Sequence, residues 1–242
     1  KINVFIKKEL PPVKSKTPPP VFNAIPEGMW VSRVEASHFN EGTVYASLNG
    51  YRWDNFTPYL FVSTDFGATW NQIGNDLPSE PINVVREDPK NKNILYVGTD
   101  NGLYVSINGG RTFMAWSGSL PRVAVHDIAI QERDNDIIVA THGRSLFKAD
   151  LEQIQALPDI QTKEIYAFEV EDMPYDKNAG KRYTNFDPAQ ESTYTLAYYV
   201  QTAGQTTISI ATPNGAIVRE WTDESEAGLN YVSYDLTLEP AA

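Results

Sequence analysis

The chain has no cysteine, which excludes disulfides, thiolate metal sites and a thiol nucleophile. It has no apolar run near the ~20 residues needed to cross a bilayer as a helix. It is poor in basic residues: 20 Lys and Arg stand against 31 Asp and Glu, a net charge of −11. Nucleic-acid backbones and anionic membrane surfaces need a basic footprint, so neither is an expected partner. Sustained helical periodicity is also missing, and only Leu151–Leu157 offers a turn or two of helix. There are three histidines; in sequence His38 and His126 have no partner at metal-ligand spacing, and no metal or cofactor is expected.

What remains is a β-rich composition, 41% hydrophobic and 12% aromatic, which can bury a core in one or two domains. Residues 1–27 differ from the rest. A short alternating stretch, Ile2–Ile6, leads into a Pro- and Lys-rich segment that reads as a linker. From Trp30 onward, short alternating runs are broken by Asn, Gly, Asp and Pro clusters, the pattern of consecutive strands.

The strands repeat. Ser63-Thr64-Asp65-Phe66-Gly67-Ala68-Thr69-Trp70 and Ser106-Ile107-Asn108-Gly109-Gly110-Arg111-Thr112-Phe113 share the pattern Ser-x-Asp/Asn-x-Gly-x-Thr-aromatic, 43 positions apart. That spacing is about one four-stranded propeller blade. Upstream, Val44–Ser47, Leu95–Thr99 and Ile138–Thr141 align, each after a further strand and a polar turn. The third unit ends at Ser145–Asp150 with no such motif after it.

The paired motifs resemble the Asp-boxes of BNR-repeat β-propellers. Asn83-Val84-Val85-Arg86-Glu87-Asp88-Pro89 and the segment from Glu132 to Arg144 are similar to bacterial sortilin-like members, often labelled glycosyl hydrolases. The resemblance implies an all-β chain: a partial propeller of about three four-stranded blades over 28–151, a linker at 152–162, and an immunoglobulin-like β-sandwich over 163–242. The last is similar to the domain of the flagellar hook-capping protein. In it Asn214-Gly215 is expected to supply the positive φ angles of a tight hairpin turn. Three blades are too few for a closed ring, so further blades of a longer polypeptide are expected as partners. The family also implies export: secreted, periplasmic or cell-surface.

The motif's Ser, Asp and Thr look catalytic, but their physics is that of a turn: the acid accepts amide hydrogen bonds and the glycine takes angles other residues avoid. In the family these hairpins lie away from the binding face. The opposite face carries the turns between second and third strands. In the first unit that connection runs through 48–59 and holds Tyr51, Arg52, Trp53, Asp54, Phe56 and Tyr59. In the second it is Asp100-Asn101-Gly102, and in the third His142-Gly143-Arg144. Tyr51, Arg52, Trp53 and Asp54 are the main candidates for binding a glycan or peptide; their alternative use is to cover the top of the barrel or a neighbouring domain. His142 and Arg144 suit an anion, or form a plain polar turn around Gly143. No motif assigns a catalytic centre. Asp54, Asp100 and Asp127 are available acids, and a glycoside hydrolase would need a placed carboxylate pair. A sialidase would need an arginine cluster and a tyrosine nucleophile. A ligand-binding module and a hydrolase completed by missing blades are both open, as is a purely structural surface.

Overall fold

The computed structural model describes residues 28–116, 120–170, 172, 181, 184 and 193–236. The expected strand Ile2–Ile6 and the Pro-rich linker lie outside the described residues. The chain divides into two compact units between Asp150 and Leu151.

The first unit is a succession of antiparallel meanders. Strands β1 (Trp30–Ala36), β2 (Val44–Gly50), β3 (Asn55–Ser63) and β4 (Asn71–Ile73) form one four-stranded sheet in chain order. Strands β5 (Ile82–Glu87), β6 (Leu95–Thr99), β7 (Gly102–Ser106) and β8 (Met114–Ala115) form a second. β9 (Val125–Gln131), β10 (Asp136–Thr141) and β11 (Leu146–Asp150) form a third, with three strands. Four strands were expected in each. The third sheet lacks the turn motif that reverses the chain into a fourth, and the chain goes on into a helix instead.

Each sheet packs through its first strand onto its predecessor: β5 on β1 and β2, β9 on β5 and β6. The core between the first two sheets contains Tyr45, Leu60, Leu77, Ile82, Val85, Leu95, Val97 and Tyr104, with Phe113 against it. Between the second and third sheets the approach is closer. A Cβ on Gly98 would lie 2.6 Å from methyl groups of both Val84 and Val125, so only glycine fits there. All strands of the stack therefore share two ends: one where β1 begins at Trp30, and one where the turn motifs lie.

At the motif end the two motifs join β3 to β4 and β7 to β8. In the first, Ser63 Oγ donates to Asp65 Oδ1 at 2.7 Å and accepts from Gly67 N at 2.9 Å. Asp65 accepts from Thr69 N at 2.8 Å and from Thr69 Oγ1 at 2.7 Å. In the second, Ser106 and Asn108 make the same bonds to Gly110 and Thr112, except that Asn108 Nδ2 now donates to Thr112 Oγ1. Gly110 has φ +82°, and a Cβ there would lie 2.7 Å from Ile73 of the preceding sheet, so the position needs glycine twice over.

The second unit begins with α1 (Glu152–Ile160), longer than the turn or two expected and running through Pro158. β12 (Ile165–Ala167), β13 (Tyr194–Val200) and β16 (Gly228–Tyr234) form one sheet, and β14 (Gly204–Ala211) and β15 (Ile217–Ser225) a hairpin. Tyr198 ties them together: its hydroxyl donates to Asp223 and meets Ser225 Oγ, both at 2.7 Å. At the hairpin turn only Gly215 takes a positive φ, not Asn214. The expected turn Pro213-Asn214-Gly215 lies within a five-residue connection closed by Gly215 N to Thr212 O and Thr212 N to Ala216 O.

Candidate functional site

The segment 48–59 is not an irregular insertion. β2 continues to Gly50, β3 starts at Asn55, and a single 3-10 turn at Tyr51–Trp53 joins them. The additional length is taken up by a bulge opposite Asn49, where Pro58, which cannot donate to a ladder, sits. Tyr59 is a core residue, packed with Leu48 and Phe61 and flanked by Met29 and Trp70. It therefore leaves the candidate set.

The 3-10 turn projects a cluster. Asp54 closes it in a left-handed conformation with φ 54°, its amide donating to Tyr51 O. This sharp closure holds Tyr51, Arg52 and Trp53 out from the sheet. Their exposures are large for aromatics: Tyr51 50%, Trp53 54%, and Trp30, at the start of β1, 53%. Trp30 and Trp53 meet edge to face with centroids 6.0 Å apart. The Arg52 guanidinium carbon lies 4.4 Å from the centre of the Trp30 ring and 5.9 Å from that of Tyr51. Phe56 is exposed nearby on β3.

A polar ladder anchors this turn to the second sheet. Asn49 Oδ1 accepts from Tyr51 N at 3.0 Å, Asn49 Nδ2 donates to Asn83 Oδ1 at 2.8 Å, and Asn83 Nδ2 donates to Asp100 Oδ1 at 2.9 Å. Asn83 reaches both because β5 is bulged there. The pairing register slips between Ile82 and Val84, as it does around Ser32 in β1 and His126 in β9. Bulges re-aim side chains: Asn83 reaches Asn49 and Asp100, the His126 ring meets that of His142, and Ser32 Oγ meets Ser47 Oγ and Ile82 O. Sequence reading passed over Ser32 and Asn83. The signal available was one polar residue breaking an apolar run at matching repeat positions.

The third sheet adds two histidines. The rings of His126 and His142 lie 5.3 Å apart, so His126 is not isolated. His142 N donates to Ala124 O, and Arg144 is exposed in the β10–β11 turn around Gly143. No hydrogen bond, ion pair or ring contact among the described residues joins Tyr51, Arg52, Trp53 or Asp54 to His142 or Arg144. The candidates thus form two groups at one end of the stack.

The carboxylates are mostly committed elsewhere. Asp127 pairs with Arg33 and lies 3.9 Å from Arg86, and Asp100 belongs to the ladder. Arg86 bonds Glu35 at 2.6 Å and Ile128 O at 2.8 Å, stitching all three sheets. Glu87, 2% exposed, accepts from Ser37 Oγ, His38 N and Tyr45 OH, and His38 Nδ1 lies 3.5 Å away. His38, too, therefore has a partner. Glu35, His38, Arg86 and Glu87 line a cavity of about 240 Å³ at the motif end, smaller than the usual ligand pocket. Both of its inner acids are bound by these partners. Among the described residues four tyrosine hydroxyls donate to carboxylates, Tyr45 to Glu87, Tyr96 to Asp88, Tyr104 to Glu80 and Tyr198 to Asp223, but burial above all pushes all four phenols above the ordinary tyrosine range. A tyrosine nucleophile needs the opposite shift. Among the described residues no group of three or more His, Asp or Glu is placed to hold a metal ion.

No protein-family model matches the chain. A xyloglucanase of Hypocrea jecorina (strain QM6a) is 36% identical over 81 residues, spanning 29% of this chain and 10% of that protein. The chain thus spans about a tenth of the length of this curated relative. Among solved structures, the Niastella koreensis GH74 enzyme aligns with TM-score 0.41 and 18% identity over 49% of this chain and 21% of its own. The Cps50 (Swd1) β-propeller domain of Myceliophteria thermophila aligns with TM-score 0.41 and 12% identity over 86% and 71%. No helix of the described residues is long and apolar enough to cross a membrane.

Proposed function

We propose that this chain is part of an exported Asp-box β-propeller protein of the bacterial sortilin-like kind, carrying a small immunoglobulin-like domain, and that the Trp30 end of its sheets binds a glycan. The observation that carries the reading is the exposed cluster of Trp30, Tyr51, Arg52 and Trp53, standing on the Asn49–Asn83–Asp100 ladder. Flat aromatic faces cover the apolar faces of sugar rings, and amide and carboxylate groups bond hydroxyls directionally. The repeat spacing, the two matching turn networks and the partial identity to a xyloglucanase support a propeller that handles carbohydrate. Three sheets leave open edges, and the remaining blades of a longer polypeptide are the proposed partners.

The test is binding of xyloglucan, cello-, xylo- and uronate oligosaccharides to the full chain by calorimetry, wild type against Trp53→Ala. Binding that the substitution weakens supports the reading; no binding by any sugar contradicts it.

The partial match to a xyloglucanase favours a second reading, a glycoside hydrolase whose carboxylates lie partly on other blades. Asp54, exposed beside the aromatic cluster, would then be the acid this chain contributes. Release of reducing ends from xyloglucan, abolished by Asp54→Asn, would establish it.

A further inference from the structure

The glycan reading leaves a charge within its own aromatic cluster without a role. Arg52 is exposed, its guanidinium carbon over the Trp30 ring and near that of Tyr51, and among the described residues it makes no ion pair. Arg33, Arg86 and Arg133 of the first unit are neutralised by Asp127, Glu35 and Asp134, whereas Arg52, like Arg111, Arg122 and Arg144, has no acid among the described residues; it differs from those three in lying over an exposed aromatic ring. Asp54, two residues away, does not pair with Arg52; its backbone is held in the turn by Tyr51 O.

The ring contact limits what Arg52 can do. The guanidinium carbon lies over the Trp30 ring, 4.4 Å from its centre, and a cation–π contact leaves the N–H donors that do not face the ring free for a ligand. An edge of parallel N–H groups matches the two oxygens of a carboxylate. The same ring contacts hold the arginine in place, so less side-chain freedom is lost on binding. Beside it, Trp53 and Tyr51 are about half exposed, offering apolar area a sugar ring can cover.

We propose that the Trp30 end selects an acidic sugar: Arg52 receives the carboxylate of a uronate residue while Trp53 or Tyr51 packs on its ring or on that of its neighbour. This inference rests on the glycan reading above. An acidic peptide is the less suitable occupant. An extended peptide gains most of its affinity from an unpaired strand edge, and the segment that carries Arg52 offers none: Tyr51 N, Asp54 N and Thr57 N are bonded to Asn49, Tyr51 and Asn55. The overall charge repels polyanions, so affinity for one must come from a local site.

The experiment measures affinity of the full chain for four probes: oligogalacturonate, the same oligosaccharide with its carboxyls reduced to alcohols, a neutral cello-oligosaccharide, and a poly-glutamate peptide. Wild type is compared with Arg52→Gln and Arg52→Lys, with folding checked by near-ultraviolet circular dichroism. Oligogalacturonate is expected to bind about tenfold or more tightly than its reduced form, as loss of a charge-assisted bidentate contact implies. Arg52→Gln is expected to abolish that preference, and Arg52→Lys to retain only part of it. Equal affinity for the acidic and reduced sugars, or an unchanged preference in Arg52→Gln, overturns acid selection and leaves the glycan reading intact. Poly-glutamate binding as tightly as the uronate overturns it as charge attraction alone. Binding of none of the sugars overturns the glycan reading and this inference together.

Discussion

The two ends of the sheet stack are built from similar residue types and differ in what those residues touch. At the motif end, Ser63, Asp65, Thr69, Ser106, Asn108 and Thr112 bond one another and the local backbone. Glu87 there is sealed under the β1–β2 turn by three donors. At the Trp30 end, aromatic faces are half exposed and an arginine has no acid among the described residues. The difference teaches that a polar residue's neighbours say more than its type. Asp65 and Asn108 occupy the same place in the same network; the carboxylate is replaced by an amide and only the threonine hydroxyl changes role, from donor to acceptor. Equivalent bonds made by a carboxylate in one turn and an amide in the other are accounted for by turn structure.

The sharpest way to break this contrast is at Glu87. Glu87→Ala would leave the hydroxyl of buried Tyr45 and the amide of His38 without their acceptor. It should destabilise the first unit by about 3 kcal/mol, the scale of orphaned buried partners, measured by urea unfolding. A loss under about 0.5 kcal/mol, in the range of ordinary surface changes, would mean the motif end does not hold the sheets together.

Trp53→Ala carries the next largest effect, and on the other observable. It should weaken sugar binding by more than about 1 kcal/mol, as removal of an aromatic anchor does, with little change in unfolding. Asn108→Ala is the counterpart at the motif end. It should cost about 1 kcal/mol of stability through lost turn bonds and leave sugar affinity unchanged in the folded protein.

The smallest effect is in pH. Hydrogen bonds from the Thr69 side chain and amide, then from Ser63, hold the Asp65 carboxyl at about 2, below its ordinary 3.8. A folded-state value below the unfolded one stabilises above the unfolded value and is lost as pH falls toward the folded one. The melting temperature should thus fall between about pH 4 and pH 2, partly through Asp65. Asp65→Asn, which makes the first turn resemble the second, should flatten that part of the profile and change little near neutrality.

Much of this layout could be read from the residues alone. The repeated Ser-x-Asp/Asn-x-Gly-x-Thr pattern located both motif turns because each bond in them is local, within four positions. The strand order followed from the same repeats. What escaped was set by contacts distant in sequence. Tyr59 could be told from Tyr51 only by the bulge at Pro58, which turns it into the core. His126 lacked a partner in sequence because His142 meets it across the β9–β10 pair. The Asn49–Asn83–Asp100 ladder joins two sheets, and Trp30 became a site residue only when strand pairing set it opposite Asn49.

The central claim is that ligand is held at the Trp30 end and stability at the motif end. Its most direct test is the affinity of the best-binding oligosaccharide of the panel for three proteins, wild type, Trp53→Ala and Ser106→Ala, at a temperature where all are folded. Ser106 is buried in the second motif, bonded to Asn108 and Gly110. The expected result is affinity lowered about tenfold or more in Trp53→Ala, as an aromatic anchor implies, and unchanged in Ser106→Ala despite its lower melting temperature. Unchanged affinity in Trp53→Ala with a loss in folded Ser106→Ala would contradict the account and place the ligand among the motif turns.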